Sequence, residues 1–190
     1  VRMGEMVEKN RVHLMRLLDR LIQCFYMSGD TRMPLTIFRS LNWTKKYGYC
    51  DFSSVAVATT GMMVTGILGD LRNGSEFGEK ALVLQLRCRK PITEARTALC
   101  TNVFLFSWTK PTHSLLKPLL RGYDVGLETG DTESAMWAIY FYMEFNCVLG
   151  QSLDLLYADL VLYDKQMEDL DRVQALRISR LFREMVASLM

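Results

Sequence analysis

The chain has 190 residues, of which 49% are hydrophobic and 23% charged, and it carries a formal net charge of +2. That length and apolar content support a substantial buried core and exclude bulk disorder. The near-balanced charge lacks the strongly basic footprint of a nucleic-acid-binding domain.

In chain order, the hydrophobic pattern predicts helices almost throughout. Leu14, Leu17, Leu18, Leu21, Ile22 and Phe25 follow the i, i+3, i+4 rule, with Arg16, Asp19, Arg20 and Gln23 on the other side. Gly29 can then supply the left-handed cap. A second helix opens at Pro34, whose fixed φ suits a first turn, and ends at Gly48. A third covers 53–68 and stops at Gly69, and a fourth begins within "GDLRNGSEFGEKAL" and ends before Pro91. The fifth runs over 93–108 to a break at Lys110-Pro111, and the sixth over 114–128 to Gly130. The seventh covers 133–149, with Gly150 after it, and the eighth 152–170. In the ninth, Ile178, Leu181, Phe182, Met185 and Leu189 share a face, with Arg177, Arg180 and Arg183 elsewhere.

The stretch 52–69 carries no charge for 18 residues, and 135–149 is rich in aromatic residues and methionine. The Ser, Thr and Gly of the first, and Glu144 and Asn146 in the shorter second, fit helices enclosed within a protein better than membrane spans. No signal-peptide pattern opens the chain. It starts at Val1 and ends in the apolar pair Leu189-Met190, which reads as a piece of something longer.

The helix breakers are regularly spaced. Gly29, Gly69, Pro111 and Gly150 lie 40, 42 and 39 residues apart, and Gly48, Pro91 and Gly130 interleave with them at 43 and 39. A repeat of about forty residues indicates stacked helical hairpins. The expected architecture is an all-α solenoid of about four hairpins in one domain, over 7–48, 53–90, 93–130 and 133–170, with a terminal helix over 172–190. Helices 3, 5 and 7 are the more apolar ones, so one row should be more enclosed than the other.

Glycine costs roughly 1 kcal/mol relative to alanine inside a helix. Gly74 and Gly78, four residues apart, share a face with Ala81, and Gly122 and Gly126 repeat the pattern. Such strips are useful where another backbone comes close, so these five residues are expected at helix crossings, each strip against its hairpin partner.

Gly69-Asp70, the small residues at 74, 78 and 81, and then Leu82 resemble the second half of a tetratricopeptide repeat. Thr65 stands where that family prefers an aromatic residue, and the unit here is stretched from about 34 to about forty residues. The segments "LNWTKKYGYCDFSSVAVATTGMMVTGILGDLRNGSEFGEKAL" and "LLKPLLRGYDVGLETGDTESAMWAIYFY" are similar to the helical-repeat region of large signalling ATPases. Those proteins join a serine/threonine-kinase-like domain, a STAND-type ATPase and helical repeats, often with a GAF domain and a histidine kinase. The specific pieces are Lys46-Tyr47-Gly48, "GD" before "FGEKAL", and "GLETGD" at 126–131. The resemblance implies a regulatory scaffold and transfers no catalytic residue.

No phosphate loop, kinase HRD or DFG, HExxH or CxxC occurs in the chain. The five scattered cysteines, Cys24, Cys50, Cys88, Cys100 and Cys147, read as small apolar residues of a reducing, intracellular compartment. With only His13 and His113 as candidate bases, no catalytic residue, cofactor or metal site is expected. The acidic run "YDKQMEDLD" at 163–171 reads as a solvated helix end, and "RCRK" at 87–90 as cations at a helix C-terminus.

Trp137, Tyr140, Phe141, Tyr142 and Phe145 crowd one helix, and successive residues turn by about 100°, so they cannot all face one neighbour. Trp137 and Phe141 suit the core, whereas Tyr140 and Tyr142 suit core and interface equally. Trp108, Trp137, Tyr140 and Tyr142 are the candidate partner-binding residues. The expected function is a non-enzymatic protein-interaction scaffold or sensor module. Its partners would be other domains of the same chain or subunits of an assembly, without nucleic acid or a transmembrane segment. A stand-alone structural subunit is the alternative, and a small-ligand binder using the aromatic groove is a third reading.

Overall fold

The computed structural model describes residues 4–88 and 90–190; Val1 and, within the basic run, Arg89 lie outside them. The described residues form α1 (Lys9–Ser28), α2 (Met33–Tyr47), α3 (Ser53–Leu68), α4 (Leu71–Gln85), α5 (Glu94–Phe104), α6 (His113–Thr129), α7 (Thr132–Val148), α8 (Leu153–Asp169) and α9 (Val173–Leu189). Gly29, Gly69 and Gly130 end α1, α3 and α6 with φ of 65°, 67° and 79°, in the left-handed region that disfavours a Cβ. Asp70 caps α4, its carboxylate accepting a hydrogen bond from the Asn73 amide at 3.0 Å.

Two local features depart from the sequence pattern. The fifth helix stops at Phe104 instead of reaching Trp108, and a 3₁₀ turn, Phe106–Trp108, follows it. Leu105 and Phe106 are buried at this corner, against α4. Upstream of α1, the Met6 amide donates to the Tyr49 carbonyl at 2.8 Å, and the Tyr49 amide to the Gly4 carbonyl at 2.9 Å. This short parallel bridge pins the N-terminal segment to the α2–α3 turn and buries Met6 with Met15, Cys50 and Phe52. Gly48, at φ 98°, lies so close to the Gly4 carbonyl that a Cβ would strike it.

Each helix packs on the next in sequence, and the odd-numbered helices also meet in series, α1 with α3, α3 with α5, α5 with α7 and α7 with α9. Residues 53–61 of α3 are buried without interruption, as befits a helix enclosed on every side. Most of its hydroxyls are satisfied, Thr65 Oγ1 being buried without a partner. Thr59 and Thr60 donate to the carbonyls of Val55 and Ala56 at 2.8 and 2.7 Å, and Ser54 donates to Gln85 at 2.6 Å.

The small-residue strips lie at helix crossings, but each strip serves two neighbours rather than one hairpin partner. Gly74 faces α3, where the Thr65 hydroxyl already fills the place a Cβ would take and the Gly61 carbonyl lies beyond. An aromatic residue at 65 would not fit. Gly78 faces the Leu105–Phe106 corner instead of α3; a Cβ there would stand 2.8 Å from Phe106 Cε1. Ala81 is buried with Val57 and Ala58 of α3 and Cys100 of α5. Gly122 meets Ala98 of α5, whereas Gly126 meets Ala135 of α7. A helix face presents residues four apart to different elements when those elements cross it at an angle. No helix among the described residues is long and apolar enough to cross a membrane.

Candidate functional site

Besides its contacts with α2 and α3, α1 reaches α5 through the pairs Asp19–Arg96 and Tyr26–Phe104. Together α1, α2, α3, α5 and α7 line a pocket of about 210 Å³ that opens to solvent beside Tyr26 and Met27. A chain of rings forms one wall. Tyr26 of α1 meets Phe104 of α5 edge-to-face at 6.2 Å, and Phe104 meets Phe141 of α7 at 6.3 Å. Trp137 lies 6.2 Å from Phe141. Ile22, Met33, Ile37, Val55 and Met62 complete the apolar lining.

A buried ionic cluster closes one end. Arg96 Nη1 donates to both carboxylate oxygens of Asp19 at 2.9 and 2.8 Å, and Nη2 to those of Asp131 at 3.4 and 3.3 Å. Asp19, Arg96 and Asp131 are only 5%, 8% and 7% exposed, so water screens them little. Two carboxylates share one guanidinium. Burial pushes the Asp19 carboxyl above its ordinary range despite the opposing attraction of Arg96. Burial also works against the Arg96 charge, but the two aspartates outweigh it. Arg96 Nε is buried and has no hydrogen-bond partner. Beside the cluster, Glu133 accepts from Trp137 Nε1 at 3.0 Å and from Arg172 at 3.2 Å, which fixes the indole in the wall.

Cys100 lines the cavity, yet burial, above all, pushes its thiol up to about 12, far from a nucleophilic thiolate at neutral pH. His13 and His113 are both exposed, on α1 and α6, and neither lines the cavity. Among the described residues, no three His, Cys, Asp or Glu side chains group closely enough to hold a metal.

The candidate partner-binding residues separate. Trp137 alone lines the cavity. Tyr140 is buried, packed edge-to-face on Trp137 at 5.9 Å and Phe182 at 6.1 Å, and burial raises its phenol to about 12. Tyr142 is half-buried against Met143, Leu156 and Leu160 in the seam between α7 and α8. Trp108 stands 65% exposed on the 3₁₀ turn, away from the other three. The acidic run is not uniformly solvated: Asp164 is buried and accepts from Arg183 Nη1 at 2.7 Å. The hydrophobic pattern concealed Asp19, Arg96 and Asp131, although a lone arginine within the otherwise uncharged run "ARTALCTNVF" was a signal.

The chain matches no protein-family model. It likewise matches no curated protein and no solved structure.

Proposed function

We propose that the chain is a non-enzymatic protein-interaction module, built as a helical-repeat solenoid with a unit of about forty residues. The observation that carries this reading is the serial contact of α1, α3, α5, α7 and α9, with breakers recurring at nearly constant spacing. An array of this kind presents an extended surface whose units move against their nearest neighbours. Its partners would be further domains of the same polypeptide or subunits of an assembly, as the likeness to signalling ATPases implies. Trp108 on the 3₁₀ turn and Leu181 on α9, 65% and 72% exposed, are large apolar side chains that a partner could cover.

Site-directed photo-crosslinking in the source cells tests the reading. A benzophenone side chain at 108 or 181 should yield a discrete adduct with another protein, and one at the buried position 140 should not. Absence of any adduct from both exposed positions would remove the support for an interaction module.

A further inference from the structure

Among the described residues, α3, α5 and α7 each pack between two other odd-numbered helices, whereas α9 meets α7 alone of that row. Ala175, Leu176, Ser179 and Val186 form the buried face of α9. On its free side Ile178, Leu181, Met185 and Leu189 recur at three and four residues, and all four are exposed, Leu181 by 72%. A stripe of this spacing is what one helix presents to another.

The charges beside the stripe indicate which helix. Arg177 and Glu184 are both exposed and lie seven residues apart, two turns along one flank of the stripe. Arg180 and Arg183 are paired with Glu168 and Asp164 of α8, but Arg177 has no ion-pair partner among the described residues. Glu184 has a 3.6 Å contact with its neighbour Arg183 and is otherwise open to solvent. A second α9 can be laid antiparallel across the stripe, about a two-fold axis near Arg180. Each Arg177 then falls beside Glu184 of the other copy, and each Ile178 faces Leu181 of the other copy. A slip of seven residues in either direction opposes like charges, Glu184 to Glu184 or Arg177 to Arg177. A symmetric parallel pair sets every residue level with its own copy. The face is therefore complementary to itself in one orientation and one register.

We infer that the free face of α9 is a self-association surface, on which a second copy of this chain docks antiparallel through Ile178, Leu181 and Met185, with two Arg177–Glu184 pairs fixing the register. Exposed ion pairs add little affinity but direct orientation, so the apolar stripe holds the pair together. One helix face is a small interface, and the dimer should form in the micromolar to hundred-micromolar range. The inference rests on the protein-interaction reading for Leu181 alone; Trp108, on the 3₁₀ turn, serves a different protein.

Sedimentation velocity of the whole chain, from about one to several hundred micromolar at low salt, tests this. The parent should pass from monomer to dimer across that range. Leu181→Glu should stay monomeric with its Tm unchanged, because the residue is exposed. Arg177→Glu and Glu184→Arg should each weaken association by about tenfold or more, since each opposes like charges twice. Combining both substitutions exchanges the pairs and should restore the parent affinity. An equimolar mixture of the two single variants also re-forms both pairs and should associate as the parent does. A parent that stays monomeric, a dimer that survives Leu181→Glu, or a double variant and mixture no tighter than the single variants would each overturn the inference. A crosslinked adduct from position 181 of mass other than twice the chain would overturn self-association too, while leaving the interaction module standing.

Discussion

Two glycine-to-alanine substitutions should have opposite effects on stability, although each raises helix propensity by up to about 1 kcal/mol. Gly66 lies on the exposed end of α3, and a Cβ built there meets nothing within 4 Å. Gly126 lies within α6, where a Cβ would stand 2.7 Å from Ala135 Cβ, 3.0 Å from the Asp131 carbonyl oxygen and 3.2 Å from Ala135 Cα. The last two are backbone atoms and cannot rotate aside, so α6 and the start of α7 must separate. Overpacking of this kind costs roughly 1–3 kcal/mol, which cancels or exceeds the propensity gain and leaves a net loss of about 0–2 kcal/mol. For a domain of this size, 1 kcal/mol moves Tm by roughly 2–4 °C. Melts followed by circular dichroism should therefore place Gly66→Ala about 2–4 °C above the parent and Gly126→Ala below it, by up to about 8 °C. A Gly126→Ala protein melting as high as Gly66→Ala would refute a tight α6–α7 crossing.

The ionic cluster and the buried acids give further expectations. Arg96→Met leaves Asp19 and Asp131 buried without a counter-charge and should cost about 3–5 kcal/mol in urea unfolding. Asp19→Asn, which removes the excess negative charge, should cost clearly less; equal losses would show that the excess charge is not felt. The thiols of Cys88 and Cys100 and the phenol of Tyr140 are each pushed up to about 12, chiefly by burial. The folded protein therefore holds these protons where the unfolded chain releases them, above about pH 9 for the thiols and 10 for the phenol. That stability is fully present below pH 9 and is lost as pH rises toward 12. Tm should fall progressively above pH 9, and Cys100→Ala should flatten the fall; a profile unaffected by the substitution would contradict the assignment.

The helices were legible because their signals are local. Capping glycines, Pro34 and the i, i+3, i+4 spacing report on backbone within a few residues, and α3 and α4 begin and end close to where those signals lie. The end of α5 was not legible, because Leu105 and Phe106 leave the helix to fill a space set by Gly78, which lies on another helix. Periodicity likewise marks Gly78 and Gly126 as facing something, but not what. Asp164 reads as one charge in a charged run, and only the arrival of Arg183 from α9 makes its burial possible. The cavity was the least accessible feature. Asp19 lies on the polar side of its helix pattern, and its partner Arg96 is 77 residues away. Of the residues that define the site, the aromatic crowding pointed to Trp137 and Phe141 alone.

A buried cluster with two carboxylates and one guanidinium is a poor way to gain stability, since well-packed apolar residues in place of buried ion pairs are often neutral or better. What the cluster supplies is position. The apolar contacts of α1 over the cavity, made through Ile22 and Tyr26, would tolerate a slide along the neighbouring helices. A slide of one helical turn, about 5.4 Å, would break the two bonds from Arg96 Nη1 and leave Asp19 buried without a partner. Asp131, immediately before α7, is tied to the same guanidinium, so α1, α5 and α7 are referenced to a single side chain. The spacing between Tyr26, Phe104 and Phe141 depends on those same three helices. Arg96 thus fixes the relative positions of the three helices that carry these rings.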